Sequence, residues 1–317
     1  MAALRDRTTT AAFLLIVLLA GGNGVAIRFS NHELAPLWGA TLRFVVASAV
    51  LLAAVRIWRL ALPRGQALIG AVLYGLLGFA LTFGLAYTAL VDVGAGLAQI
   101  VLAMVPLFTF LLAVVQGLER FRWQSLLGCA VALAGIAIVF GEQVEAAVPV
   151  VSLLAIVAGA ASMAESNVVI KRYPRAHPLA TNAVAMGAAS VALLLATLIA
   201  GQRITVPVGM QTWLAVGYVS VLGSVGVFSL FLYVLARWSA SSSSYVMLLI
   251  PLVTVALGAA LDREAVTPAY FLGGPLVLLG TYIGAFAPPL SEVVRRFRQR
   301  PQPAHIDEAL TDPPASG

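Results

Sequence analysis

Charge is scarce in this chain. Of its 317 residues only 10% are charged and 61% are hydrophobic, and the mean hydropathy is +0.98. A soluble domain carries about a quarter charged residues, so a water-soluble globule is excluded. Lysine is almost missing as well: Lys171 is the single example, and it follows Ile170. The Gly-Lys step of a phosphate-binding loop is therefore absent, and any pumping must draw on a gradient or a partner chain. One cysteine, Cys129, rules out a disulfide within the chain, an iron–sulfur centre and a zinc cluster. The three histidines (His32, His177, His305) fall in connecting segments or the tail, which argues against a histidine-based catalytic or metal site in the membrane. No cofactor is expected.

What the chain does have is long apolar runs. They lie at roughly residues 9–28, 36–56, 67–87, 92–115 and 123–141, then 149–170, 179–200, 210–235, 241–261 and 268–289. Each approaches the roughly 20 residues that a membrane helix needs. The breaks carry Pro, Gly and charge, as in Leu62-Pro63-Arg64-Gly65 and Tyr173-Pro174-Arg175. The first run reads as a span rather than a signal peptide, because polar Asn23 opens a second segment where a cleavage site would stand. The expectation is an all-α membrane protein of ten spans.

The net charge of +6 and a pI near 9.9 do not point to nucleic acid, because the cations sit at the ends of the runs. With the N-terminus inside, 15 of the 19 Lys and Arg fall in inner segments, three (Arg28, Arg203, Arg263) in outer ones, and Arg43 within a span. That asymmetry follows the positive-inside rule and puts both termini in the cytoplasm of an inner-membrane protein. The tail, residues 290–317, reads as disordered, with its Arg cluster at 295–300 held near anionic lipid.

The chain also repeats. Pro106-Leu107-Phe108-Thr109 overlies Pro251-Leu252-Val253-Thr254 at an offset of 145, and the same offset sets Glu119 on Glu264 and Gly135 on Gly280. Further back, Ala35-Pro36-Leu37 matches His177-Pro178-Leu179. Each copy, residues 9–141 and 149–289, holds five spans. An odd number inverts the second copy in the membrane. Inverted repeats are a signature of alternating-access transport.

These features resemble the drug/metabolite transporter superfamily in its EamA-domain branch. The resemblance rests on Ala86-Tyr87-Thr88-Ala89 through Val105-Pro106-Leu107 with Leu118-Glu119-Arg120, and on Tyr233 through Ile250-Pro251-Leu252 with Arg263-Glu264. It covers about residues 9–289. It implies an exporter of small metabolites, such as amino acids, or of drugs, with a central cavity lined by spans one, three, four, six, eight and nine.

Polar groups in the runs are the site candidates, since an ionisable side chain in hydrocarbon is costly unless paired or hydrated. Glu165 in span six would bind an amine or carry a proton; the structural alternative is an acid at a helix end, exposed to water or paired with Lys171 or Arg172. Arg43 would hold a substrate carboxylate or pair with Glu165, or serve as a structural cation bonded to carbonyls. Asn23 of span one and Gln99 of span four are further candidate contacts. Phe83, Tyr218 and Phe228 would line an aromatic wall, or pack as core. Pro106 and Pro251 remove helical donors and suit hinges, or plain packing. Asp92, Glu119 and Glu264 read as helix-start acids, and the Ser239–Ser244 run as a close helix contact.

The expected function is secondary transport, exporting small organic metabolites by alternating access. The partners are a small-molecule substrate, protons if the cycle is coupled, and the bilayer, with the chain a monomer or homodimer. An intramembrane lipid-modifying enzyme or protease is the alternative, disfavoured by the lack of an intramembrane histidine and of a Gly-x-Ser-Gly step. A non-transporting scaffold is the third reading.

Overall fold

A computed structural model describes residues 7–31, 33–89, 92, 98, 101–141, 149–261 and 268–286. Gln99, Glu264, the Arg cluster at 295–300 and the rest of the tail lie outside the described residues. The described chain is helical: α1 (Arg7–Gly21), α2 (Asn23–Asn31), α3 (Pro36–Ile57), α4 (Gln66–Ala89), α5 (Val105–Val115) and α6 (Trp123–Phe140) form the first half. The second half contains α7 (Val150–Arg172), α8 (Pro178–Ile199), α9 (Met210–Leu235), α10 (Ala240–Ser244), α11 (Val246–Leu261) and α12 (Pro268–Phe286). Among the described residues, six helices (α3, α4, α7, α8, α9, α12) are long and apolar enough to cross a membrane. Two of the remaining apolar runs give shorter helices because the backbone breaks within them, at Gly22 between α1 and α2 and at Tyr245 between α10 and α11.

The helices are apolar on their outer faces as well as their inner ones. Leu18 is 58% exposed and Ile199 87% exposed, and Leu52, Leu195, Leu214 and Phe271 also face outward. That is the pattern of helices solvated by lipid. Ends are set locally. Pro36 and Pro178 open α3 and α8, where a missing N–H costs nothing. Gly117 and Gly201 close α5 and α8 with φ of +72° and +61°. That conformation lets Leu118 and Gln202 donate back to the carbonyls of Ala113 (2.8 Å) and Thr197 (3.1 Å).

The repeat is legible in the backbone. A six-residue π-helical segment interrupts α4 at Leu76–Leu81, and another interrupts α9 at Val221–Gly226. They stand at the same offset that relates Pro106 to Pro251. Packing repeats too: α1 lies against α9 and α11, while α7 lies against α4 and α5. The equivalent helices α3 and α8 touch each other and run antiparallel. Thr41 meets Thr197 across 3.2 Å near one end, and Ser48 donates to the Ala183 carbonyl at 3.1 Å further on. Helices α6 and α12 form the second such pair, with Gly128 against Gly280 and Gly284, and Gly135 against Gly273. Two equivalent helices that pack antiparallel on each other are related by an axis perpendicular to both.

Candidate functional site

Arg43 is the centre of the candidate site. It sits seven residues into α3, about 10 Å from that end at 1.5 Å per residue, and is 1% exposed. Its Nε donates to Ser224 Oγ at 2.7 Å, and one terminal nitrogen, Nη2, donates to the Gly223 carbonyl at 3.0 Å. The other, Nη1, is buried with no hydrogen-bond partner among the described residues. The guanidinium lies 4.8 Å from the centre of the Phe83 ring and 5.4 Å from that of Phe44, and the Tyr87 hydroxyl is beside it. Among the described residues its polar neighbours are all neutral.

The π-helical segment of α9 makes this geometry available. A π turn disturbs the regular ladder of main-chain bonds and occurs often at functional sites. Here the Gly223 carbonyl accepts from Arg43 and, at 3.4 Å, from Asn23 Nδ2. Asn23 Oδ1 is buried without a partner among the described residues. The Ser224 hydroxyl donates a hydrogen bond to the Val219 carbonyl at 2.8 Å, leaving its lone pairs to Arg43. In the other half Ser166 of α7 lies against Gly78 of the α4 π segment, where Asn23 lies against Gly223. Counting from the two opening prolines, the position equivalent to Arg43 is Ala185, so the charge belongs to one half only.

Aromatic rings close the site. Phe79 and Phe228 pack edge-to-face with centroids 4.6 Å apart, Phe44 stacks on Phe79 at 5.2 Å, and Phe83 meets Phe228 at 6.3 Å. Beyond them is a small cavity of about 10 Å³ lined by Tyr74, Phe79, Ser166, Asn167 and Phe228, room for about one water. Arg43, Asn23, Phe83 and Phe228 thus share one cluster, and Tyr218 borders it, donating to the Leu19 carbonyl at 2.9 Å.

Glu165 does not join that cluster. It lies half-buried on α7 and accepts from Gln116 Nε2 at 2.6 Å, while the Gln116 carbonyl accepts from Arg172 at 2.9 Å. The link ties the ends of α5 and α7 together. Pro106 occupies the first turn of α5, so it starts a described helix instead of kinking one, whereas Pro251 lies inside α11. Asp92 accepts from Ser152 Oγ at 2.6 Å. Glu119 meets a helix start, but that of α10: it accepts from Ser241 N at 3.0 Å and Ser241 Oγ at 2.5 Å. The serine run is buried, and Ser244 bonds to Thr109 at 3.1 Å and Asn167 at 3.2 Å.

The two ends of the bundle differ. At the basic end a vestibule of about 760 Å³ is lined by residues including Glu119, Lys171, Arg175, His177, Arg237 and Trp238. Lys171 donates to the Trp238 carbonyl, and the Arg237 guanidinium lies over Tyr233. At the opposite end the connections α2–α3 and α8–α9 are laced together. The Glu33 carboxylate accepts from Val208 N (2.8 Å), Gly209 N (3.2 Å) and Thr212 Oγ (2.8 Å). Trp38 Nε1 donates to the Thr205 carbonyl at 2.6 Å, and Leu37 N to Gln202 at 3.0 Å.

Those three bonds to Glu33, led by the one from Val208, hold its carboxyl below the ordinary 4.5. A carboxyl so depressed supports the clasp fully above its ordinary value. The support is lost as pH falls through the lowered one. Amide hydrogen exchange at Val208 and Gly209, corrected for the intrinsic pH dependence of exchange, is therefore expected to show protection at neutral pH that is lost below pH about 4. In a Glu33→Gln protein the protection is expected to be weaker at both. Equal protection in the two proteins would remove Glu33 from the clasp.

Sequence reasoning missed Gly223, Ser224 and Phe44, and the structure buries Tyr87 beside Arg43. The signal for the first pair was present: Gly223 stands 145 residues after Gly78 in a second small-residue stretch.

Comparison with known proteins bears on this arrangement. The profile of the EamA-like transporter family matches twice, over residues 8–141 and 150–285. An uncharacterized inner membrane transporter, YedA, of Escherichia coli strain K12 is 29% identical over 90% of this chain and 95% of its own length. A probable amino-acid metabolite efflux pump of the same strain is 28% identical over 86% of this chain and 93% of its own. A probable terminal-alkyne amino-acid exporter of Streptantibioticus cattleyicolor is 30% identical over 76% and 81%. A solved crystal structure aligns with a TM-score of 0.75 over 89% of this chain and 99% of that chain, at 20% identity. The last is a likeness of fold.

Proposed function

The chain belongs to the EamA-like transporter family, and from that premise we propose that it is a secondary transporter exporting small metabolites, amino acids or related compounds, or drugs, by alternating access. Its ten spans form two inverted five-helix repeats, with the basic end and both termini in the cytoplasm. The observation that carries this reading is the position of the Arg43 cluster. It lies between an open vestibule at one end and, at the other, the clasp that joins the α2–α3 and α8–α9 connections. Substrate enters from the cytoplasm through the vestibule, reaches Arg43 when the aromatic rings part, and leaves when the clasp at Glu33 opens. The antiparallel pairs α3–α8 and α6–α12 support the two-fold exchange that such a cycle needs. The relatives named as efflux pump and exporter support the direction.

Proteoliposomes loaded with a mixed metabolite pool test this reading. Selective release of one class, followed by mass spectrometry, is the expected result. No release by folded, reconstituted protein from that pool or from a broader drug panel would overturn it. Glu165 is the carrier in a proton-coupled cycle, as a half-buried carboxylate held by a neutral amide. Glu165→Gln is expected to remove the response of flux to an imposed pH gradient while leaving the melting temperature within about 2 °C, a surface-like change. A retained gradient response would take Glu165 out of the coupling role.

A further inference from the structure

We propose that the Arg43 cluster recognises an organic anion with an apolar body, and that an amine on the substrate is not required for binding. The inference rests on the transporter reading above and says what its central site reads. A buried guanidinium keeps its charge, and here its surroundings provide Ser224, the Gly223 carbonyl and Tyr87, all neutral. Among the described residues Nη1 has no hydrogen-bond partner, in a fully buried side chain. A carboxylate supplies what is missing: a counter-charge and an acceptor for Nη1.

Among the described residues an ammonium has no such place in the cluster. The four described carboxylates are all engaged elsewhere: Glu33 by Val208, Gly209 and Thr212, Asp92 by Ser152, Glu119 by Ser241 and Glu165 by Gln116. Next to Arg43 an ammonium would meet a like charge. Asn23 Oδ1 is an orphaned acceptor, and it takes a hydroxyl or amide N–H as readily as an amine. The body of the ligand falls among Phe44, Phe79, Phe83 and Phe228, which at centroid distances of 4.6 to 6.3 Å offer faces and edges to an apolar or aromatic group.

Three probes sharing a phenyl body separate the charges: 3-phenylpropionate, L-phenylalanine and phenethylamine. Thermal shift and counterflow are measured on the full chain in lipid. 3-Phenylpropionate is expected to raise the melting temperature and to compete with phenylalanine, and phenethylamine to do neither. Arg43→Lys, which retains the charge, is expected to weaken 3-phenylpropionate at least about tenfold through loss of the fork geometry. Phe83→Leu, a milder change, is expected to weaken it several-fold. Binding of phenethylamine, 3-phenylpropionate binding that Arg43→Lys leaves unchanged, or no binding of either carboxylate would each overturn the inference. If wild-type protein meanwhile releases a metabolite from the mixed pool, the transporter reading survives that failure; if it releases nothing there, both fall.

Discussion

Replacing Arg43 with methionine is expected to abolish transport, lowering flux at least about 100-fold, in a protein as stable as the wild type or more so. The combination is what separates a binding cation from a structural one. A buried charge with no ionic partner is a cost to the fold, and well-packed apolar replacements of buried ionic groups have been neutral or stabilising by about 1 to 4 kcal/mol. Methionine fills much of the same volume among Phe44, Phe83 and Tyr87 and leaves no orphaned Nη1. Gly223 keeps Asn23 as a donor. Thermal melts in nanodiscs and substrate release from proteoliposomes, on one preparation, give both numbers. A variant that loses folding and flux together would make Arg43 a structural residue bonded to carbonyls.

The second large effect concerns the pairing of α6 and α12. A Cβ at Gly135 would stand 2.6 Å from the Gly273 carbonyl oxygen, and one at Gly128 would stand 2.7 Å from that of Gly280. Both obstacles are backbone, so neither helix can yield by turning a side chain. In lipid, where apolar surface gives no drive toward association, such close backbone approach supplies much of the attraction. Gly135→Ala is expected to destabilise by about 2 to 3 kcal/mol through overpacking, and Gly135→Leu to leave little folded protein. Gly217→Ala is the matched control: a Cβ there meets nothing within 4 Å, and alanine is expected to stabilise the helix by about 0.5 to 1 kcal/mol. Equal melting temperatures for Gly135→Ala and Gly217→Ala would mean that α6 and α12 are not held by contact.

The sequence carried the membrane class, the doubling and much of the site for different reasons. Run length and the shortage of charge come directly from the solvent, so the helices were legible one by one. The offset between Pro106 and Pro251 predicted the relation that the π segments of α4 and α9 repeat. Arg43 stood out because a charge in an apolar run is conspicuous. Its partners did not, since Gly223 and Ser224 become acceptors only where a π turn disturbs the main chain, and no residue type announces that turn. Glu165 was conspicuous for the same reason as Arg43, yet the two never meet, because helix faces and depth are set by packing between spans. Glu33 escaped attention: it lies just beyond a helix end, where acids are commonplace, and its clasp partners are nearly 180 residues away.

The unequal pair Arg43 and Ala185 carries a lesson of its own. Two copies of one ancestral segment would start identical, and the demands of the shared scaffold keep them alike wherever both copies do the same job. Prolines at helix starts, glycines at the α6–α12 contact and the two π segments are such places. Where the copies have drifted apart in the interior, as at Arg43 opposite Ala185 or Asn23 opposite Ser166, the scaffold no longer enforces agreement and ligand chemistry is free to. A duplicated chain therefore carries its own reference sequence, and reading one half against the other separates the residues that build the machine from those that choose its cargo.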